Sequence, residues 1–208
     1  MKSFLTPQEN FWAGEFGSSY IGRNQDDQCA IAHRVGFWSK IVQHMTFPPA
    51  SVLELGANVG INLDALKILF PHCQLSAVEI NADAVQVLRQ KKYLEVFHDS
   101  ILSFSSSKQW DVVFTSGVLI HLNPEYLSAV YDLMAKTASR YVVIAEYYNP
   151  SPVEVSYRGY SEKLFKRDFA GEFLDTNPEF FLQQYGFVYH RDSVFQADDI
   201  TWFLLEKR

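Results

Sequence analysis

The chain has 208 residues, 48% hydrophobic and 20% charged, with a formal net charge of −6. That is the length of one ordinary domain with a real core, and the balance excludes a disordered or collagen-like chain. The acidic surplus argues against a protein that coats nucleic acid, because neutralising phosphates takes an excess of lysine and arginine.

Thr6-Pro7-Gln8-Glu9 predicts a short helix, with threonine as cap, proline at the first helical position and glutamate reaching back. That helix runs into Gly14 and Gly17, after which Asn24 caps a longer helix through about His44, its apolar face carrying Ile31, Val35, Trp38 and Val42. Pro48-Pro49 ends this helical lead-in, and from residue 50 short apolar runs alternate with helical segments. Strands are expected over 51–55, 75–80, 94–97, 111–116 and 141–146, with helices over 59–70, 82–91 and 124–137 between them. A helix over 178–185 closed by Gly186 and two strands, 187–195 and 200–206, complete the chain. The last two lie too close for a helical crossover, so they form a hairpin. The expected fold is α/β: a Rossmann-like, doubly wound, mostly parallel sheet with a C-terminal antiparallel hairpin, in a single domain of 1–208. Residues 1–49 would be its N-terminal helical cap and 50–208 its core.

The two cysteines, Cys29 and Cys73, make no C-x-x-C pair, so a disulfide framework or structural zinc site is not expected, and both are read as buried free thiols. No His, Cys, Asp or Glu spacing suggests a metal. The start, Met1-Lys2-Ser3-Phe4-Leu5-Thr6, is unlike an export signal, and no stretch is long and apolar enough to span a membrane. A cytoplasmic protein is expected.

The richest stretch is Glu54-Leu55-Gly56-Ala57-Asn58-Val59-Gly60-Ile61, a strand running through a glycine turn into a helix. Gly56 and Gly60 let backbone approach a ligand closely, and Asn58 tolerates the left-handed conformation of a tight turn. A dinucleotide fingerprint would need glycines at 56, 58 and 61, and two of those positions hold Asn58 and Ile61. Glu79 ends the second strand 19 residues after Gly60 (79 − 60), where a carboxylate can accept both hydroxyls of a ribose.

This arrangement resembles the first motif of class I S-adenosylmethionine-dependent methyltransferases, acid-x-G-x-G-x-G, with Asn58 in place of the middle glycine, and Glu79 resembles the second. The resemblance implies S-adenosylmethionine as cofactor and S-adenosylhomocysteine as product. A ligand bearing an ammonium and a sulfonium favours a carboxylate at Glu54, which a phosphate would not. It further implies that Asp99 and Ser100 face the adenine edge, that Ile80 and Ile101 sandwich its ring, and that Ser116, Gly117 and Val118 follow the fourth strand at the cofactor. Val118-Leu119-Ile120-His121-Leu122 is close to the family's V-L-x-H-L pattern.

Phe11-Trp12-Ala13-Gly14-Glu15-Phe16-Gly17 through Asn24, and Leu164-Phe165-Lys166-Arg167-Asp168-Phe169, look like the small bacterial family of pseudaminic acid biosynthesis-associated methylases. That likeness implies an acceptor among nonulosonic sugars or their precursors. It also implies that Tyr20, Arg23 and Asn24 cap the cofactor, with Arg23 against its carboxylate, although these residues also read as an aromatic-packed helix start.

Methyl transfer from a sulfonium depends mainly on alignment, and a base is required only where the acceptor must lose a proton. His121 is the candidate base, or else it caps the following helix or packs under the cofactor. Glu146, Tyr147 and Tyr148 leave the fifth strand and either line the acceptor pocket or pack. Between residues 158 and 167, Arg158, Lys163, Lys166 and Arg167 face one acid, Glu162, which suits an anionic acceptor or a solvated face. Phe165, Phe169 and Phe173 recur as a buried helical stripe. The expected function is methyl transfer to oxygen or nitrogen of a small anionic, sugar-like acceptor, with no nucleic-acid or membrane partner. The alternatives are a catalytically inactive cofactor-binding scaffold or regulatory subunit, and a methyltransferase acting on a peptide or a carboxylate metabolite.

Overall fold

Helix α1 (Pro7–Ala13) starts as its sequence requires: the Thr6 hydroxyl accepts the Glu9 N–H at 3.1 Å, and the Thr6 N–H donates to Glu9 Oε2 at 2.8 Å. The computed structural model describes residues 4–22, 28–195 and 198–208, so the expected helix cap at Asn24 lies outside the described residues. The chain divides into two compact units, Met1–Phe104 and Ser105–Arg208.

In the first unit, α1 is followed by α2 (Glu15–Ile21) and α3 (Gln28–Val42). The sequence did not point to α2, because Gly14 and Gly17 read as breakers. Gly17 is instead a packing residue, since a Cβ there would lie 1.8 Å from the Trp12 carbonyl oxygen. The buried face of α3 is Phe37, Trp38 and Ile41, rotated from the expected stripe, of which only Trp38 is fully buried. Strands β1 (Ser51–Leu55), β2 (Gln74–Glu79) and β3 (Leu94–His98) pair in parallel, with β2 between the other two. Helices α4 (Ile61–Leu69) and α5 (Ala82–Gln90) connect them. The near-continuous burial of β1 and β2 is that of parallel strands covered on both faces.

In the second unit, β4 (Trp110–Ser116) pairs in parallel with β5 (Ala138–Glu146), joined by two 3₁₀ turns, Leu119–His121 and Pro124–Tyr126, and by α6 (Leu127–Thr137). A two-stranded ribbon, β6 (Val153–Glu154) with β7 (Phe165–Lys166), precedes α7 (Phe169–Thr176). The unit ends in β8 (Phe180–Val188) and β9 (Ile200–Lys207), which pair antiparallel, with β9 also antiparallel to β5. Seven strands in these parallel and antiparallel arrangements, with helices between them, make the expected Rossmann-like fold.

Three expectations are corrected. The segment expected as a helix over 178–185 is strand β8, and Gly186 is no helix terminator: it pairs with Trp202, whose indole would lie 2.5 Å from a Cβ at that position. The helix in this region is α7, started by Asp168, whose carboxylate accepts the Gly171 N–H at 2.8 Å. Phe169 and Phe173 are buried on it, whereas Phe165 lies on β7, so the stripe has two members on the helix. Finally, Cys73 is buried but Cys29 is exposed.

Candidate functional site

The turn after β1 carries three left-handed residues in alternation, Gly56 (φ 77°), Asn58 (φ 48°) and Gly60 (φ 81°). Gly56 and Ala57 both donate their N–H to the Val78 carbonyl, at 2.8 and 3.1 Å, which fastens the turn to the end of β2. At Gly60 a Cβ would stand 2.7 Å from Leu88 Cδ2, so glycine is required there both by φ and by space. Asparagine carries the middle position because its short amide tolerates the left-handed region.

Glu54, on β1 just before this turn, is 2% exposed. Its Oε1 accepts the Asn62 Nδ2 amide at 2.7 Å, and Asn62 Oδ1 in turn accepts the Trp38 indole N–H at 3.2 Å. Its Oε2 is buried with no hydrogen-bond partner. Loss of water pushes the Glu54 carboxyl up to about 8, against the Asn62 hydrogen bond and the positive Arg34 that favour ionisation, while Glu79 and Asp64 raise it further. A buried carboxyl satisfied on one side alone suits a cationic hydrogen-bond donor. Sequence reasoning found Glu54 but missed Asn62 and Trp38, which on a helical pattern look like ordinary core positions.

Glu79 sits at the end of β2 with both oxygens engaged by backbone: Asn58 N–H donates to Oε2 and Asn81 N–H to Oε1, each at 2.7 Å. Burial raises its pKa, and those backbone hydrogen bonds oppose the rise. Each oxygen retains a lone pair for a hydroxyl donor. Beyond β3, Asp99 Oδ1 accepts the Ser100 N–H at 2.9 Å and the Ser103 hydroxyl at 2.8 Å. The Ser100 hydroxyl donates to Glu9 Oε1, tying α1 to this loop. Ile80 and Ile101 are half-buried, as expected of apolar residues that could flank a ring. Tyr20 lies on α2 with its ring edge-on to Trp12, centroids 5.4 Å apart. Arg23, like Asn24, lies outside the described residues. The first unit thus brings together Glu54, Gly56, Asn58, Gly60 and Glu79 around one turn, with Asp99 and Ser100 on the loop after the neighbouring strand.

In the second unit, the loop leaving β4 runs through Ser116, Gly117 (φ 67°) and Val118 into the 3₁₀ turn. A Cβ at Gly117 would meet nothing within 4 Å, so the glycine serves its φ alone. Glu146, 2% exposed, holds this loop: Oε1 accepts the N–H groups of Val118 and Leu119 at 3.0 and 3.1 Å, and Oε2 accepts that of Ile120 at 3.5 Å. Burial pushes Glu146 up to about 7, moderated by these bonds and by the Thr115 hydroxyl. The carboxyl is therefore spent on the loop.

His121 is buried, and its Nδ1–H donates to the Lys163 carbonyl at 2.6 Å while the Tyr157 ring packs 4.9 Å away. Desolvation lowers it to about 4, outweighing the Lys163 hydrogen bond, so the ring is neutral at pH 7. Arg167 Nε pairs with Glu172 Oε1 at 2.7 Å, and Glu172 Oε2 accepts the Tyr131 hydroxyl at 2.9 Å. Burial and the neighbouring carboxylate push that phenol well above its ordinary value. Lys166 Nζ lies 5.2 Å from the centre of the Tyr147 ring, and the Arg158 guanidinium 5.5 Å from that of Tyr157. Arg158 has φ 52°, beside Gly159 at 87°, and is exposed. Tyr148 is exposed, with its ring centroid 6.0 Å from that of Phe203. Among the described residues, no group of three His, Cys, Asp or Glu could hold a metal, and no helix is long and apolar enough to cross a membrane.

No family model matches the chain, and no curated protein does. Solved structures do. One is magnesium protoporphyrin IX methyltransferase from Synechocystis PCC 6803 with bound SAM, with TM-score 0.71 and 16% identity over 100% of both chains. Another is 1,6-didemethyltoxoflavin-N1-methyltransferase from Burkholderia thailandensis, with its acceptor and S-adenosylhomocysteine bound; the TM-score is 0.69 and the identity 14%, over 100% of this chain and 93% of that one. The N-methyltransferase NodS from Bradyrhizobium japonicum has TM-score 0.64 and 13% identity, over 88% of this chain and 99% of that one. At such identities the likeness is one of fold.

Proposed function

We propose that this chain is a class I S-adenosylmethionine-dependent methyltransferase, working as one domain and acting on a small anionic acceptor. The observation that carries the cofactor assignment is Glu54: a buried carboxyl with one oxygen unpartnered, beside a turn of three left-handed residues. This acceptor oxygen fits an amino-acid ammonium, which is a donor, better than a pyrophosphate, whose oxygens are themselves acceptors. When bound, the sulfonium supplies the methyl group. Glu79 is the residue to hold the ribose hydroxyls, with its carboxylate held in place by the N–H groups of Asn58 and Asn81. Asp99 and Ser100, with Ile80 and Ile101, are assigned to the adenine, and Tyr20, Arg23 and Asn24 to the cap over the cofactor.

For the acceptor, the reading rests on the resemblance to pseudaminic acid biosynthesis-associated methylases and on the basic segment 158–167, which suits a nonulosonic sugar or its precursor. Arg158 and Lys166 are its anion-binding residues, with Tyr147 and Tyr148 as lining; Arg167 is partly spent on Glu172. His121, neutral and lowered to about 4, is a weak proton acceptor. That favours an acceptor with a free lone pair at neutral pH, a carboxylate or an amine in its unprotonated form, over an unactivated hydroxyl. A carboxylate metabolite is accordingly the second reading.

Calorimetric titration with S-adenosylhomocysteine, with NAD as comparison, tests the assignment. Micromolar binding of the first and none of the second is expected, and methyl transfer from labelled S-adenosylmethionine to acidic amino sugars and carboxylates then identifies the acceptor. A folded sample that binds neither ligand would sink the assignment.

A further inference from the structure

Asn81 stands two residues beyond Glu79, at the N-terminus of α5, and every polar group of its side chain is used while it remains only 3% exposed. Its Oδ1 accepts the N–H groups of Asp83 and Ala84 at 3.0 and 3.1 Å, capping the helix. Its Nδ2 donates the other way, to the Trp12 carbonyl at 3.1 Å and the Ser18 hydroxyl at 3.3 Å, and its own N–H donates to Glu79 Oε1. The Ser18 hydroxyl continues to Asp83 Oδ2 at 2.6 Å.

A helix cap alone does not explain this residue. Serine or aspartate would accept the same two N–H groups, and only an amide can accept from α5 and donate to α1 and α2 at once. The approach is also built from the other side, because a Cβ on Gly17 would lie 2.9 Å from Asn81 Nδ2. A second tie, from the Ser100 hydroxyl to buried Glu9, holds α1 beside Asp99. The two N-terminal helices are thus fastened at the two strand ends that carry the acids assigned to the ribose and the adenine.

We infer that Asn81 is a positioning residue that couples the α1–α2 cap to the cofactor carboxylate Glu79. One residue sets both the orientation of that carboxylate and the docking of the cap. Ligand bound at Glu79 therefore favours the docked cap, and the docked cap favours the ligand by the same factor. The inference rests on the cofactor reading above.

The test is N81S, which keeps a helix cap and loses the amide donors, with S18A as a cap-side variant that keeps the Asn81 cap of α5 and the Asn81 N–H to Glu79 while losing the Ser18 hydrogen bonds to Asn81 and Asp83. Three readouts are required on the full chain: unfolding by calorimetry, affinity for S-adenosylhomocysteine, and hydrogen exchange of the amides of α1 and α2 with and without that ligand. In the wild type the ligand should slow exchange in both helices. In N81S, unfolding stays cooperative, α1–α2 exchange quickens about tenfold, the ligand binds about tenfold more weakly, and its protection of the cap is lost, as expected from removing one or two buried hydrogen bonds. S18A should move the same readouts in the same direction by less. A role confined to capping α5, which serine preserves, would leave unfolding, affinity and ligand-dependent protection of the cap unchanged in N81S; that result, or undiminished affinity in N81S and S18A, overturns the coupling alone. Wild-type protein that binds no S-adenosylhomocysteine overturns the cofactor reading and the coupling with it.

Discussion

Binding of S-adenosylhomocysteine should release a proton from Glu54. With its pKa pushed up to about 8, the carboxyl is protonated in the free protein at pH 7, by simple titration to about nine parts in ten. An ammonium about 4 Å from the carboxylate contributes about 4 kcal/mol at an effective dielectric of about 20. That shifts the proton equilibrium by about a thousandfold, enough to ionise the group on binding. Titration calorimetry at pH 7 in two buffers of different ionisation enthalpy, phosphate and Tris, should then report release of about 0.9 proton per ligand. Affinity should rise with pH up to about 8 and level off beyond it. In E54Q both the buffer dependence and the pH slope should vanish, and affinity should fall about ten- to a hundredfold, the range for a charged hydrogen bond. A wild-type binding enthalpy independent of buffer would refute the reasoning, because the unpartnered oxygen would then not be the ammonium site.

Replacing Glu79 by glutamine should weaken S-adenosylhomocysteine about tenfold by calorimetry, since one oxygen that accepts a backbone N–H becomes a donor. Unchanged affinity would remove Glu79 from the ribose. Gly60→Ala forces a side chain into φ 81° and against Leu88, and should cost about 1–2 kcal/mol in urea unfolding. A variant as stable as wild type would contradict that turn geometry. The ligand-free protein should lose stability as pH rises from 6.5 to 8: Glu54 and Glu146, raised to about 8 and about 7, stabilise fully below 4.5 and lose that contribution as pH climbs through those values. His121, lowered to about 4, contributes in the opposite sense, fully above 6.5 and less as pH falls, so the two effects oppose each other only on the acid side. Over the alkaline window the loss amounts to about 2 kcal/mol, mostly from Glu54, and a denaturation series that shows no decline, or an E54Q series that declines as steeply, would count against the buried protonated carboxyl.

What the sequence made legible was what local spacing controls. The alternation Gly56, Asn58, Gly60 is written in consecutive residues, and so are the Thr6–Glu9 capping box and the acid at the end of β2. Glu54 was legible, but its support was not: Asn62 and Trp38 reach it from two helices, and in sequence they are 8 and 24 residues removed from their partners. Strand β8 was misread for a related reason. Pro178 and Gly186 punctuate it as they would a helix, and only Trp202, lying across the hairpin, shows that Gly186 makes room for an indole. Arg167 looked available for an anion until Glu172, brought in by α7 and held by the Tyr131 hydroxyl from α6, took up part of its charge. In each case the missing information was a contact that follows from the fold and leaves no periodic trace.

Glu54 and Glu146 show how such contacts separate a ligand site from a support. Each lies on a strand near its C-terminal end, each is 2% exposed, and burial lifts both. By sequence pattern they are equivalent acids at strand ends. Glu146 is surrounded by three backbone N–H groups of the loop it holds, and its acceptor capacity is met by the chain itself. Glu54 receives one amide and leaves its other oxygen bare. An unmet buried oxygen costs about 1–3 kcal/mol, and in a chain selected for folding alone an apolar residue at position 54 would avoid that cost. Retaining the acid there is explained by a cationic donor that arrives from outside the chain, whereas Glu146 needs no visitor to account for it.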